Sequence, residues 1–160
     1  APEDRQGYRD LCTALDMNIA GGEAEFTRWG YRDLIEGRCV DVLQPEICGL
    51  GGITEYLKVR SLAHTHFIPV VNHVWGSAVS VAMNMHLLAA MPDLPGAAHP
   101  VQPMLEYDTT PNKFREDLLL TPLNVLGQVK ANDGWVKLPD GPGLGIEIDF
   151  KFVDRYKVDM

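Results

Sequence analysis

Four titratable side chains recur at a regular spacing along the 160 residues, each closing a short apolar run. They are Glu23 after Ile19-Ala20-Gly21-Gly22, Glu46 after Val40-Asp41-Val42-Leu43-Gln44-Pro45, His73 after Ile68-Pro69-Val70-Val71-Asn72, and Glu106 after Pro103-Met104-Leu105. The intervals are 23, 27 and 33 residues, each about the length of one strand plus one helix. In a parallel α/β barrel the carboxyl ends of successive strands converge on one face, and that face holds the chemistry. Three carboxylates and an imidazole arriving there point to a metal site with an acid/base group beside it.

The segments between these residues supply the helices. Residues 4–15 carry Tyr8, Leu11, Cys12 and Leu15 at helical spacing. A helix over 27–36 turns Tyr31, Leu34 and Ile35 inward and stops at Gly37. Residues 40–44 form a strand ended by Pro45, and Gly49, Gly51 and Gly52 make a flexible loop before a helix over 53–66. That helix carries Ile53, Tyr56, Leu57, Ala63 and Phe67 as its apolar stripe. Residues 68–72 read as a buried parallel strand. Ser77 caps an amphipathic helix bearing Ala78, Val81, Ala82, Met85, Leu88 and Ala89, which Pro92 closes. A loop over 92–100 and a last strand over 101–105 complete an αβαβαβαβ order, hence parallel strands with helices outside.

After Thr109 the texture changes. Pro111, Pro122 and Pro139 interrupt the periodicity, and Gly141-Pro142-Gly143-Leu144-Gly145 is a turn cluster. Residues 113–120 suit a helical turn or an extended segment, and 146–150 alternate like a strand. The division expected is therefore 1–109 for the barrel portion and 110–160 for a return segment.

Composition narrows the function classes. A net charge of −8 supplies no basic stripe for nucleic acid. No run of about 18 apolar residues spans a membrane, and the start at Ala1-Pro2-Glu3-Asp4-Arg5 lacks the regions of a signal peptide. Cys12, Cys39 and Cys48 are odd in number and without Cys-x-x-Cys spacing, which fits buried structural thiols in a reducing cytoplasm.

The motifs together resemble the enolase superfamily, in its mandelate racemase and muconate lactonizing group. The resemblance rests on Ile19-Ala20-Gly21-Gly22-Glu23, Val42-Leu43-Gln44-Pro45-Glu46 with Gly51-Gly52-Ile53-Thr54, Val71-Asn72-His73 and Leu105-Glu106-Tyr107-Asp108. Glu23-Ala24-Glu25-Phe26-Thr27, His73-Val74-Trp75-Gly76 and Leu105-Glu106-Tyr107-Asp108-Thr109 look most like the acid-sugar cycloisomerases and dehydratases. The closing Leu138-Pro139-Asp140-Gly141-Pro142-Gly143-Leu144-Gly145 resembles that family's C-terminal signature.

The resemblance implies an α/β fold, the C-terminal half of a modified (β/α)7β TIM-type barrel plus a return segment. An N-terminal capping domain and half-barrel, with two further metal ligands and a second base, would lie outside these residues. It also implies an enzyme acting on an acid-sugar substrate; the isolated thiols place it in the cytoplasm, and the open edges of a half-barrel predict a homo-oligomer. Glu23 matches the third Mg²⁺ ligand, Glu46 and His73 a catalytic carboxylate–histidine dyad, and Glu106 an acid that hydrogen-bonds the substrate carboxylate. Asn72 and Trp75, flanking His73, fall where the pocket is shaped. The usual dyad acid is Asp, so Glu46 departs from the pattern by one methylene, about 1.3–1.5 Å.

The implied reaction begins with removal of the proton beside a carboxylate. Cycloisomerisation or dehydration leads, and racemisation or epimerisation is the alternative. A catalytically incomplete half-barrel with a structural role is a third reading. Plainer roles stay open for each residue: Glu23 as a charge at a helix N-terminus, His73 as a satisfied structural histidine, Glu106 as a surface acid, and Asn72 and Trp75 as packing. His64 and His66 face different directions on a helix and do not make a metal pair. His86 and His99 have no sequence partner and are structural, and Met83, Met85, Met91 and Met104 are fillers.

Overall fold

The computed structural model describes residues 1–91 and 103–158. The chain forms two compact units, one of Ala1–His73 with Met91–Glu106 and one of Val74–Ala90 with Tyr107–Met160.

The first unit opens with helix α1, Arg5–Ala14, whose N-cap Asp4 accepts the Gly7 amide. Strand β1, Ala20–Gly21, leads through the glycine turn to α2, Thr27–Glu36, and the chain returns as β2, Val42–Leu43. Tyr31, Leu34 and Ile35 are the buried residues of α2 and Gly37 is its C-cap, as the spacing requires. β1 and β2 pair in parallel, Ala20 opposite Val42 and Gly21 opposite Leu43. A third segment extends the ladder through parallel bridges at Leu43–Val70 and Glu46–His73. Its hydrogen bonds run from the Leu43 amide to the Pro69 carbonyl (2.9 Å), Val71 to Leu43 (3.0 Å) and His73 to Pro45 (3.1 Å). Pro69 has no amide to give, so this expected strand over 68–72 is reduced to bridges.

Two helices follow β2 where one loop and one helix were expected. The four-residue α3, Ile47–Leu50, occupies the expected loop. Gly51, left-handed at φ +119°, turns the chain into α4, Gly52–Thr65. The buried stripe of α4 is Tyr56, Val59 and Ala63. Ile53 and Leu57 are largely exposed, and Phe67 lies beyond the C-cap with φ +58° and its side chain in solvent. The stripe therefore sits to one side of the expected one. Likewise Leu11 and Leu15 of the first helical segment are exposed.

The second unit is built on α5, Ala78–Ala89, which buries eight residues around most of its circumference, including Ser80 and Asn84. A helix buried on nearly all sides has little amphipathic contrast, so the expected one-faced pattern does not describe it. Ser77 occupies its N-cap without a side-chain capping bond. Ala78, Leu118, Leu119 and Phe152 form this unit's core. Three short helices follow: α6, Lys113–Glu116; α7, Val125–Ala131, in a stretch with no helical expectation; and α8, Phe150–Asp154. The expected strand over 146–150 is one antiparallel bridge, Leu119–Ile148, because α8 begins at Phe150. Phe114 meets Phe152 edge-on at 5.4 Å.

Pro92, His99 and the expected loop over 92–100 lie outside the described residues, as does the start of the expected strand over 101–105; residues 103–105 form no strand. Among the thiols, Cys39 is buried and Cys12 half-buried, but Cys48 is exposed, contrary to a buried role for all three. Burial, ahead of the nearby Asp41, raises the Cys12 thiol above its ordinary value. Among the described residues, no helix is long and apolar enough to cross a membrane.

Candidate active site

The parallel ladder of the first unit places three expected residues along its carboxyl edge. Glu23 follows β1 by two residues, Glu46 follows β2 by three, and His73 is bridged to Glu46 in register. Paired residues on neighbouring strands present their side chains on the same face. Two residues 27 apart in sequence thereby become neighbours.

His73 Nδ1 stands 3.0 Å from Glu46 Oε2. The side chains are 25% and 17% exposed, so the pair is partly sheltered yet reachable. A carboxylate accepts, so in this contact Nδ1 is the donor and Nε2 is the ring nitrogen turned away from Glu46. The other oxygen, Oε1, accepts the Cys48 amide at 2.9 Å and caps α3. The longer Glu arm is thus fixed at both oxygens, one on the helix and one on the imidazole. This capped geometry accommodates the methylene by which Glu46 departs from Asp.

Glu23 is exposed, and its Oε2 accepts the Gly22 amide at 3.1 Å. Gly22, at φ +122°, has the ring of Tyr31 and the side chains of Leu34 and Leu43 beneath it. A Cβ there would be strained by that backbone conformation. Among the described residues, no three His, Cys, Asp or Glu side chains gather into a metal-binding group. Mg²⁺ asks for near-octahedral oxygen coordination that includes carboxylates. One exposed carboxylate does not fit that need, so these residues alone do not make a Mg²⁺ site.

Asn72 and His73 point to opposite faces of their segment. Asn72 is fully buried, and its Oδ1 accepts the Tyr56 hydroxyl at 2.8 Å. Its observed contact is with the helix layer. Glu106 is partly buried at the end of the first unit. His64 is partly buried, and desolvation, ahead of the Arg60 charge, lowers its pKa. His66 occupies the C-cap of α4, and His86 Nε2 lies 3.1 Å from the Leu144 carbonyl oxygen.

Trp75 belongs to the second unit, 67% exposed, with Nε1 donating to Asp108 at 2.9 Å. Asp108 also accepts the Thr110 amide and hydroxyl and the Arg115 guanidinium, the last at 2.8 Å. The Thr110 bonds, then Arg115, hold its carboxyl well below the ordinary range. Sequence reasoning passed over this anchor. Its available signal was Asp-x-Thr, which forms a local side-chain-to-backbone turn.

The profile of the Enolase C-terminal domain-like family matches residues 1–152. The chain belongs to this family. It is 39% identical over 157 residues to the D-galactarolactone cycloisomerase of Agrobacterium fabrum, covering 98% of this chain and 40% of that protein. It is 27% identical over 147 residues to the arabinonate dehydratase of Saccharolobus solfataricus, covering 92% and 35%. The crystal structure of the 3,6-anhydro-D-galactonate cycloisomerase of Zobellia galactanivorans superposes with a TM-score of 0.82 at 32% identity, covering 98% of this chain and 40% of that one. The chain thus spans about 40% of the length of the first of these relatives. Both the expected superfamily and the α/β fold of its C-terminal domain are borne out.

Proposed function

We propose that these residues are the acid/base half of an enolase-superfamily active site acting on an acid sugar, as the C-terminal half of its barrel. The remaining groups would be supplied outside the 160 residues. The observation that carries this reading is the Glu46–His73 pair, 3.0 Å apart at the carboxyl edge of a parallel ladder. The family match and the names of the relatives, a cycloisomerase and a dehydratase of acid sugars, support it.

The chemistry assigned to the pair is removal or return of the proton on the carbon beside the substrate carboxylate. His73 Nε2 takes the proton, and the Glu46 carboxylate stabilises the imidazolium and keeps the ring in its Nδ1–H form. The carbanion is an enediolate; its electron pair expels a β-oxygen that takes up a proton as it leaves, as water in dehydration, or as the freed end of an opened ring in cycloisomerisation. Superfamily sites pair a Lys or His base with Mg²⁺, which when bound would supply positive charge beside the substrate carboxylate. Glu23 is assigned as one carboxylate ligand of that ion. Glu106 is assigned to the substrate carboxylate, where one of two facing acids must hold a proton. Trp75, its indole edge fixed by Asp108, is assigned to the wall of the sugar pocket. Asn72 is assigned a bracing role on the strand behind His73, through Tyr56.

The test is His73→Asn in the full-length protein, followed by NMR of substrate α-proton exchange in deuterated water. Exchange from one face of the substrate falls by about 10³-fold if His73 is the acid/base group. Exchange at the wild-type rate would sink the assignment.

A further inference from the structure

Trp75 is a solvent-facing indole whose N–H edge is nevertheless tied down. Its Nε1 donates to Asp108 Oδ2 at 2.9 Å, and the same oxygen accepts Arg115 Nη2 at 2.8 Å. Thr110 binds that carboxylate twice, through its amide at 2.9 Å and through its hydroxyl. Arg115 Nη2 reaches on to the Thr110 carbonyl at 2.9 Å, which clasps the Asp108–Thr110 turn onto the guanidinium. All four residues belong to the second unit. The Arg115 side chain is 2% exposed, and its guanidinium lies over the Tyr107 ring at 5.3 Å. Its Nη1 is buried and, among the described residues, has no hydrogen-bond partner. A buried ion pair with an orphaned donor adds little to stability, and apolar side chains of similar volume would serve as well. Stability is thus a poor account of Arg115, and the geometry it imposes on Asp108 is a better one.

We propose that Arg115 and Thr110 are positioning residues for substrate binding: by holding Asp108 they lock the Trp75 indole before the sugar arrives. The inference rests on the assignment of Trp75 to the sugar pocket made above. An exposed indole left free samples several rotamers, and ordering it on binding costs a ligand up to about tenfold in affinity. Anchoring the ring by its N–H edge removes that cost and leaves the flat apolar face bare for the C–H surface of a sugar. The charges suit an anionic substrate as well. Asp108 alone would repel an acid sugar, and the Arg115 guanidinium beside it cancels that charge.

The test uses Arg115→Met and Thr110→Val in the full-length protein, each alone and combined with Trp75→Phe. One readout is the Trp75 indole N–H signal in ¹H–¹⁵N spectra, assigned by its loss in Trp75→Phe. The other is kcat and KM on whichever of a panel of aldonic and aldaric acids and their lactones the wild type turns over fastest. Arg115→Met should shift and broaden the indole signal and raise KM about tenfold, with kcat within about twofold. Thr110→Val, at an exposed position, should move the signal in the same direction and raise KM about threefold. In the Trp75→Phe background, with no indole N–H to anchor, each should change KM by less than about 1.5-fold. An unmoved indole signal, an unchanged KM, or a KM rise of equal size in both backgrounds would overturn the proposal. If Arg115→Met fails to fold, Thr110→Val decides by the same criteria. Trp75→Ala separates the two readings. If it leaves KM unchanged, Trp75 does not wall the pocket and the earlier assignment falls; if it raises KM while Arg115→Met and Thr110→Val do not, only the positioning role falls. If the wild type turns over none of the panel, the acid-sugar reading fails, and the indole signal alone decides whether the two residues lock the ring.

Discussion

At the scale of single residues, backbone register does the work of placement. Glu46 and His73 meet because a parallel ladder aligns them, and neither needs a neighbour in sequence. Glu23 depends on something different, a glycine pair that lets the chain turn over the Tyr31 ring at the end of β1. Its carboxylate accepts the amide of the preceding Gly22, a contact that an incoming cation can displace at little cost. In the full-length protein, Glu23→Gln should weaken Mg²⁺ binding about 100-fold and abolish turnover, with the fold retained. Removing an indirect supporting contact already costs about 10–100-fold in metal affinity. Titration calorimetry giving wild-type Mg²⁺ affinity for the variant would remove Glu23 from the ligand set.

At the scale of elements, α2 and α4 are locked by a charge-assisted clamp across their solvent side. Arg28 donates through Nε and through Nη2, the latter at 2.8 Å, to Glu55, which also accepts the Arg28 amide. These bonds push the Glu55 carboxyl from an ordinary 4.5 down to about 2. A carboxyl depressed in the folded state contributes stability above its unfolded pKa, and that contribution drains away as pH falls through the folded value. The stability of Glu55→Gln relative to wild type should thus be lower at pH 6, by about 2 °C in thermal midpoint. The gap should close between pH about 4.5 and about 2. An equal gap at pH 6 and pH 2 in thermal melts would mean that the clamp does not titrate. The elements themselves differed in how well their sequences announced them. α2 was legible to its last residue because one face is buried and Gly37 ends it. α5 was legible in extent but not in face, since burial on most sides erases the period. α3 and α7 left no periodic signal, being four and seven residues long. Within the site, Glu46 and His73 were legible from their strand-end spacing. The Asp108 anchor of Trp75 was not, because a pairing 33 residues apart carries no local pattern.

At the scale of the whole molecule, the parallel ladder is narrow among the described residues. Among the described residues, β1 pairs only with β2, and the 69–73 segment extends the ladder by bridges alone. A barrel closes with about eight strands, so a ladder of this width, among the described residues, stops short of closure at its edges. Such edges invite pairing with another chain, and proteins ordinarily cover them. The site is open in the same sense, with one proposed acid/base pair and one proposed metal carboxylate but, among the described residues, no cluster able to hold an ion. The 160 residues expressed alone should therefore bind Mg²⁺ weakly, turn over no acid sugar, and self-associate through their edges. Adding the complementary N-terminal portion of the full-length protein should restore both a discrete assembly and turnover. Sedimentation of the isolated chain, paired with an acid-sugar assay, decides the matter. A monodisperse monomer with full activity and no second chain would show that these residues close their own site, and the half-barrel reading would fall.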